Sequence, residues 1–154
     1  MTIEPNLAKL GITLPDAPQA IASYVPARQA GNLLYISGQL PLREGQLLAS
    51  GPVPSAVSIE QAQQATAQCA VNALAIVKEH LGGDWSKLRA AVRVGVFVQS
   101  DAGFDGQAKV ANGASDLLQA ALGEAGRHAR AAVGVNALPL NAAVEAEFIF
   151  DVAS

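Results

Sequence analysis

Hydrophobic and polar positions alternate at three places in the second half of the chain, which predicts β-strands. Residues 88–98 alternate most regularly and predict a central strand. Its apolar face would carry Leu88, Ala90, Val92, Val94, Val96 and Val98, and its other face Arg89, Arg93 and Phe97. Residues 129–137 and 144–152 predict two more strands, separated by Pro139. In the last strand the even-numbered residues are apolar, whereas Glu145 and Glu147 lie on the opposite face.

Two longer segments show helical spacing instead. Ser58 is a good N-cap, and Gln61 three residues later completes a capping-box pattern, so a helix is predicted from there to Leu81. Residues 107–122 predict a second helix. Its inward positions are Val110, Ala114, Leu117, Leu118 and Ala121. Residues 3–10 predict a short amphipathic helix within an N-terminal arm that extends to residue 20.

The first half of the chain predicts a hairpin followed by a loop. Residues 24–29 and 33–40 are compatible with two strands joined around Gly31. Residues 41–57 contain three prolines and two glycines, so we expect a loop there, with one short edge strand at 46–48. This order predicts a single α+β domain over residues 21–154, in which a mixed six-stranded sheet carries both long helices on one face.

Composition suggests that the other face of the sheet is covered by further copies of the chain. Of the 154 residues, 51% are hydrophobic, but only 15% are charged, below the roughly 25% usual for soluble domains. We therefore expect a homo-oligomer. The net charge of -3 gives no broad cationic field, so nucleic acid is not a favoured partner.

The chain gives no indication of a metal centre or a membrane partner. Its single cysteine, Cys69, has no Cys and His neighbours at metal-ligand spacing, so no metal is expected. Glu4 stands where a secretory signal would need basic residues, and no apolar run approaches the length of a membrane span. The expected compartment is the cytoplasm.

Two segments resemble the signatures of a known family. The segment Gly31-Asn32-Leu33-Leu34-Tyr35-Ile36-Ser37-Gly38-Gln39-Leu40-Pro41 is similar to the strand-and-turn signature of the Rid (reactive-intermediate deaminase, YjgF) proteins. Ala129-Arg130, Leu138-Pro139 and Val144-Glu145-Ala146-Glu147 resemble their C-terminal signature, in the same order. The resemblance covers residues 21–152. It implies a chorismate-mutase-like α+β fold, a homotrimer whose sheets form a central barrel, and clefts between subunits.

The resemblance also implies an activity and a set of site residues. Members hydrolyse reactive enamines and imines to 2-oxo acids and ammonia, and no cofactor is implied. Arg130 would hold the carboxylate of the substrate, which suits a planar guanidinium with two parallel donors. Glu145 would order or activate the attacking water. The remaining cleft residues that the resemblance implies are Tyr24, Ser37, Gly38 and Asn112.

Three departures from the family pattern lie around the arginine. Ala132 stands two places after Arg130, where many deaminating members have a cysteine, and only its backbone could serve the ligand. The spacing from Asn112 to Arg130 is about one residue longer than in the best-known deaminases. Gly126-Arg127-His128 precedes the arginine, where a proline is common in the family. His128, on the same predicted strand face as Arg130, is a candidate cleft residue. The alternative is a surface or interface histidine.

Three functions remain open at this level. The first is hydrolytic deamination, and the second is non-catalytic binding of 2-oxo acids, which Ala132 favours. The third, ribonuclease activity attributed to some relatives, is disfavoured by the acidic composition and by the lack of paired histidines. If the last two strands formed a hairpin turning near Leu140, Arg130 would pair near Phe150, some 16 Å along the strand from Glu145. A working pair of Arg130 and Glu145 would then come from two protomers.

Overall fold

A computed structural model describes residues 2–20 and 22–154, and these residues form three α-helices and seven β-strands. The helices are α1 (Ile3–Lys9), α2 (Ile59–His80) and α3 (Gln107–Leu122). The strands are β1 (Ala27–Ala30), β2 (Leu33–Gln39), β3 (Leu42–Arg43), β4 (Gln46–Leu47), β5 (Leu88–Gln99), β6 (Ala129–Val135) and β7 (Val144–Val152). The predicted α+β class is confirmed.

The main sheet has five strands rather than the six that the sequence predicts. Its order is β1-β2-β7-β5-β6, with the predicted β1–β2 hairpin at one edge. The short strand expected near residues 46–48 does not join this sheet. It is β4, which pairs with β3 in a separate hairpin, because Glu44 and Gly45 both adopt positive φ and turn the chain back at once.

The last two strands do not form a hairpin, so that assumption is wrong. β5 lies between them, pairing antiparallel with β7 and parallel with β6. Parallel strands need a long crossover connection, and here α3 supplies it. β6 is consequently an edge strand of the sheet.

The predicted alternation along β5 holds only in its second half. Val94, Val96 and Val98 are buried as expected, but Val92 is exposed and Ala91 is buried in its place. The pairing of β5 with β7 shifts register twice near the start of the strand, between residues 88 and 90 and between residues 91 and 93. Each irregularity adds a residue to β5, so the period-two pattern is reset before Val94.

Both long helices cover one face of the sheet. α2 begins with the predicted capping box: Ser58 Oγ accepts from the N–H of Gln61, and the Gln61 side chain accepts from the N–H of Ser58. α1 packs as a third helix, burying Ile3 and Leu7. Its Asn6 donates to the carbonyl of Ala121 at the end of α3.

The core lies between this helical layer and the sheet. β7 alternates between buried and half-buried positions along its whole length and contributes the fully buried Phe148 and Phe150. Cys69 on α2 is also fully buried, and this burial raises the pKa of its thiol far above the usual range. Among the helices that the structure describes, none is both long enough and apolar enough to span a bilayer.

The other face of the sheet carries a mixture of apolar and charged side chains. Tyr35, Val92 and Val133 are 44%, 37% and 47% exposed, respectively. Arg93 and Glu147 form an ion pair of 2.9 Å on this face. We call this surface the open face. Several large exposed apolar side chains on one surface are typical of surfaces that a partner covers.

The crossing of α2 and α3 depends on Gly113. A Cβ atom at this position would overlap the carbonyl oxygen of Gln63 and the hydroxyl of Thr66 on α2. Thr66 Oγ1 bonds the carbonyl of Val110 at 2.8 Å across the same contact. The glycine therefore allows the two helices to approach backbone to backbone.

We predict that Gly113→Ala destabilises the protein, although helix propensity alone would favour alanine by about 1 kcal/mol. Overlap with backbone atoms of α2 should cost about 1–3 kcal/mol, measured as the change in free energy of unfolding in urea. Ala120→Gly at an exposed position of the same helix is the control and should show only the propensity effect. A more stable Gly113→Ala variant would contradict the close crossing.

Candidate functional site

Arg130 lies on the helix-covered side of the sheet. In the pairing across three strands, Arg130 is level with Val94 on β5 and Phe148 on β7, and both of these side chains point into the core. Residues that are level in a sheet share a face. Because β6 is at the edge, the guanidinium is not buried with them but emerges beside α3.

Helix α3 holds the guanidinium by three acceptors. Nη1 of Arg130 donates to Oδ1 of Asn112 at 2.8 Å and to Oγ of Ser115 at 3.1 Å. Nη2 donates to the carbonyl of Ala108 at 3.3 Å. An arginine side chain has five N–H donors, so, within the part of the chain that the structure describes, two remain available. Two donors are what one carboxylate needs for bidentate binding.

His128 is joined to the same cluster. Its Nε2 lies 2.9 Å from Oγ of Ser115, and its Nδ1 lies 2.6 Å from the carbonyl oxygen of Gly126. The structure therefore brings together Arg130, Asn112 and His128, three of the residues that the sequence predicts for the site. Ser115 connects His128 to Arg130 and was not predicted.

These side chains line an open cleft of about 300 Å³ between α3 and the start of β6. Its lining residues are Asn112, Ser115, Asp116, Gln119, Arg127, His128 and Arg130. Four of them lie on α3 at the spacing i, i+3, i+4 and i+7, which places them on one side of the helix. This polar stripe beside the apolar face of the helix was the sequence signal that could have identified Ser115, Asp116 and Gln119.

Glu145 lies on the open face, not in this cleft. It is level with Phe97 and Val133, and it is half-buried. Burial, and secondarily the neighbouring charge of Glu147, raises the pKa of the Glu145 carboxyl above its ordinary value. Its carboxylate packs directly on Gly38, where a Cβ atom would overlap Oε1 of Glu145.

Ser37 precedes Gly38 on β2 and forms hydrogen bonds with the segment that follows Tyr24. Oγ of Ser37 donates to the carbonyl of Val25 at 2.6 Å, and the N–H of Ser37 donates to the carbonyl of Pro26. Tyr24 precedes these residues and is 49% exposed. The register of β2 against β7 shifts between Ile36 and Gln39, which places Ser37 and Gly38 in an irregular segment of the strand.

One chain therefore divides the predicted site residues into two groups on opposite faces of the sheet. Arg130, Asn112 and His128 lie on the helical side, and Glu145 and Gly38 lie on the other. Glu145 is two strands away from Arg130 and three residues, roughly 10 Å, farther along the sheet. The 16 Å separation expected from the sequence assumed a hairpin of the last two strands, which is wrong. The side chains of Arg130 and Glu145 in one chain are nevertheless far apart.

The family model described as "YjgF/chorismate mutase-like, putative endoribonuclease" matches residues 4–151. This chain belongs to the YjgF (Rid) family. Protein TCP17 of Trypanosoma cruzi is 39% identical over 95% of this chain and 91% of its own length. The 2-iminobutanoate/2-iminopropanoate deaminase of Dermatophagoides farinae is 31% identical over 90% of this chain and 92% of its own length. The crystal structure of protein Atu1372 from Agrobacterium tumefaciens superimposes with a TM-score of 0.93 at 48% identity, covering 99% of this chain and 94% of that one.

Within this Rid chain, Ala132 is on the same side of β6 as Arg130 and packs partly against the core. Its methyl group offers no polar atom where many deaminating members of the family have a cysteine. Groups of three or more His, Cys, Asp or Glu side chains close enough to hold a metal ion do not occur in the described ranges.

We predict that Glu145→Gln makes the protein more heat-stable at pH 8 than the wild type, and that this gain disappears at pH 4. Because the folded-state pKa of Glu145 is raised, the folded chain binds the proton more tightly than the unfolded chain. Stability should therefore fall as pH rises from the ordinary glutamate value through the folded-state pKa. Thermal melting at both pH values measures this effect.

Glu79→Gln, at an exposed position near the end of α2, is the control for the loss of one negative charge. A lower melting temperature for Glu145→Gln at pH 8 would contradict the prediction.

Proposed function

We propose that this Rid protein hydrolyses small enamine and imine acids to 2-oxo acids and ammonia, at clefts formed between subunits of a homotrimer. The observation that carries the proposal is the guanidinium of Arg130, which α3 holds by three hydrogen bonds while two N–H donors remain for a carboxylate. The deaminase relative from Dermatophagoides supports the same chemistry.

Arg130 would bind and orient the substrate without exchanging protons. A guanidinium stays charged at any relevant pH, and its fixed plane sets the plane of the bound carboxylate. The imine carbon, one bond from that carboxylate, is then held at a defined distance from the cleft wall. Orientation of this kind can account for a large part of a rate enhancement.

Glu145 of a neighbouring subunit would supply the base. Water adds to the carbon of the protonated imine while the carboxylate accepts one of the water protons, which gives a neutral carbinolamine. The carboxylic acid returns this proton to the nitrogen, the C–N bond breaks, and ammonia leaves as the hydroxyl gives its proton to the carboxylate and the carbonyl forms. The raised pKa of the Glu145 carboxyl suits this step, because a base whose pKa lies nearer to the working pH is the more effective proton acceptor.

The arrangement of the chain supports the participation of a second subunit. Arg130 and Glu145 of one chain are on opposite faces of its sheet and cannot meet in one pocket. The open face, where Glu145 lies, also exposes Tyr35, Val92 and Val133. Trimer formation through this face would cover these apolar side chains and bring Glu145 of one copy to the arginine cleft of the next.

We predict that Arg130→Ala reduces ammonia release from enzymatically generated 2-iminobutanoate by about 100-fold or more, because the substrate carboxylate loses its bidentate partner. Initial rates are compared with the spontaneous hydrolysis rate. Lys87→Ala, which removes an exposed positive charge before β5, is the control and should retain the wild-type rate.

Equal rates for wild type, Arg130→Ala and buffer would reject catalysis. If calorimetry then shows that wild type still binds 2-oxobutyrate and Arg130→Ala does not, the protein is a carboxylate-binding protein of the same fold. RNA cleavage that persists in homogeneous protein and is lost in Arg130→Ala would instead favour the ribonuclease function.

We further predict that inactive Arg130→Ala and inactive Glu145→Gln proteins complement one another. In mixed trimers, a cleft is intact when its arginine comes from a Glu145→Gln chain and its glutamate from an Arg130→Ala neighbour. Random assortment at equal amounts should restore roughly one quarter of wild-type activity. The measurement is ammonia release after joint refolding or co-expression, with each variant refolded alone as the control.

If both residues of a site came from one chain, mixing would restore no activity. That result, in mixtures whose exchange of subunits is verified by mass spectrometry, would reject the shared cleft.

A further inference from the structure

A chain of hydrogen bonds leads from the backbone at Gly126 to the guanidinium of Arg130. The carbonyl of Gly126 is 2.6 Å from Nδ1 of His128, Nε2 of His128 is 2.9 Å from Oγ of Ser115, and Oγ of Ser115 is 3.1 Å from Nη1 of Arg130. Ser115 is buried and His128 is half-buried, so the chain runs along the wall of the cleft.

The direction of each bond follows from the chemistry of its end groups. A carbonyl oxygen can only accept, so Nδ1 of His128 carries a hydrogen. In the neutral ring Nε2 is then the acceptor, and the Ser115 hydroxyl donates its single hydrogen to it. This leaves the lone pairs of Ser115 Oγ for Arg130, which can only donate. Every group in the chain therefore has a compatible partner.

We propose that Ser115 and His128 are positioning residues that hold the Arg130 guanidinium in the orientation that binds the carboxylate. This inference rests on the proposed function and names the residues that prepare its anchor. His128 acts through Ser115: by accepting the hydroxyl hydrogen, it keeps the oxygen lone pairs turned towards Nη1. Asn112 and the carbonyl of Ala108 hold the guanidinium at its other two contacts.

The position of His128 in the chain supports a role in the cleft. His128 lies two residues before Arg130, immediately before β6, and both side chains reach α3. Ser115 is three residues after Asn112 and on the same side of α3, where it reaches both His128 and Arg130. The charged side chains of Asp116 and Arg127 line the same cleft. Among the described residues, neither forms a hydrogen bond with His128, Ser115 or Arg130.

Removal of either residue should weaken carboxylate binding by a moderate factor. Arg130 keeps its charge and its contacts with Asn112 and Ala108 in such variants, but the Ser115 contact is lost or no longer oriented, so the guanidinium must be ordered by the ligand. Immobilising one flexible side chain corresponds to roughly a three- to tenfold change in the dissociation constant. Turnover of the bound substrate should change less than binding, which separates this role from that of a catalytic base.

The experiment measures binding of 2-oxobutyrate by calorimetry to the full-length chain in its native assembly. Ser115→Ala and His128→Leu should each weaken binding, and the double variant should bind no more weakly than Ser115→Ala alone, because His128 acts only through Ser115. His128→Gln, whose amide oxygen can accept the Ser115 hydrogen, should recover most of the affinity. Ala120→Ser, on the exposed side of α3, is the control and should bind like the wild type.

A second measurement does not depend on a ligand. Long-range proton–nitrogen NMR spectra of the imidazole should show the Nδ1–H tautomer of His128 in the wild type. The Ser115→Ala variant should lose the hydrogen-bonded signature at Nε2. A wild-type ring protonated at Nε2 alone would overturn the proposed bond directions.

The outcomes separate this inference from the function on which it rests. If the wild type binds 2-oxobutyrate and all the variants bind equally well, or if the two single losses multiply in the double variant, the positioning role is rejected and the proposed function stands. If the wild type binds no small carboxylate, both are rejected. Recovery by His128→Gln excludes general loss of folding as the reason for a loss in His128→Leu.

Discussion

The parallel pairing of β5 with β6 is the constraint on which the candidate site depends. Two parallel neighbours cannot be joined by a tight turn, so the chain must cross over the sheet, and α3 makes that crossing. The same crossing places α3 above the edge strand that carries Arg130. The acceptors on α3 and the guanidinium on β6 therefore meet as a direct result of the topology.

The second strong constraint is the alternation of β7 at the centre of the sheet. Its even-numbered residues fill the core, and its odd-numbered residues, Glu145 and Glu147 among them, are kept on the open face. A shift of one residue would bury three carboxylates, those of Glu145, Glu147 and Asp151, so the register is strongly determined. This fixes the two groups of site residues on opposite faces and makes a second copy of the chain necessary for any site that uses both.

The sequence predicted the elements whose signal is local. The capping box of α2, the β1–β2 hairpin and the alternation of β7 were all recognised, because each depends on residues close together in the chain. The placement of β5 between β6 and β7 was missed, since strand order is decided by contacts between distant segments. The bulges in β5 were missed for the same reason: Val92 fits the sequence pattern perfectly, and only pairing with β7 turns it outward.

The candidate site could be predicted in part. Arg130, Asn112 and His128 do converge, whereas Ser115 was overlooked because a serine within a helix is common and carries no signal alone. Its role can be inferred only together with the other polar residues on the same side of α3. The roles of Tyr24, Ser37, Gly38 and Glu145 remain predictions, because one chain places Glu145 and Gly38 on the face opposite the cleft.

The interior position of Cys69 has a consequence for how the protein would fare under oxidative stress. It is the single cysteine of the chain, and its thiol is enclosed on α2 and held in the unreactive neutral form. Alanine occupies the place where many related deaminases have a sulfur atom. Peroxides and electrophiles that modify an accessible thiol would thus find no such target in the native fold, and the chemistry proposed for the arginine cleft would not depend on the oxidation state of a thiol.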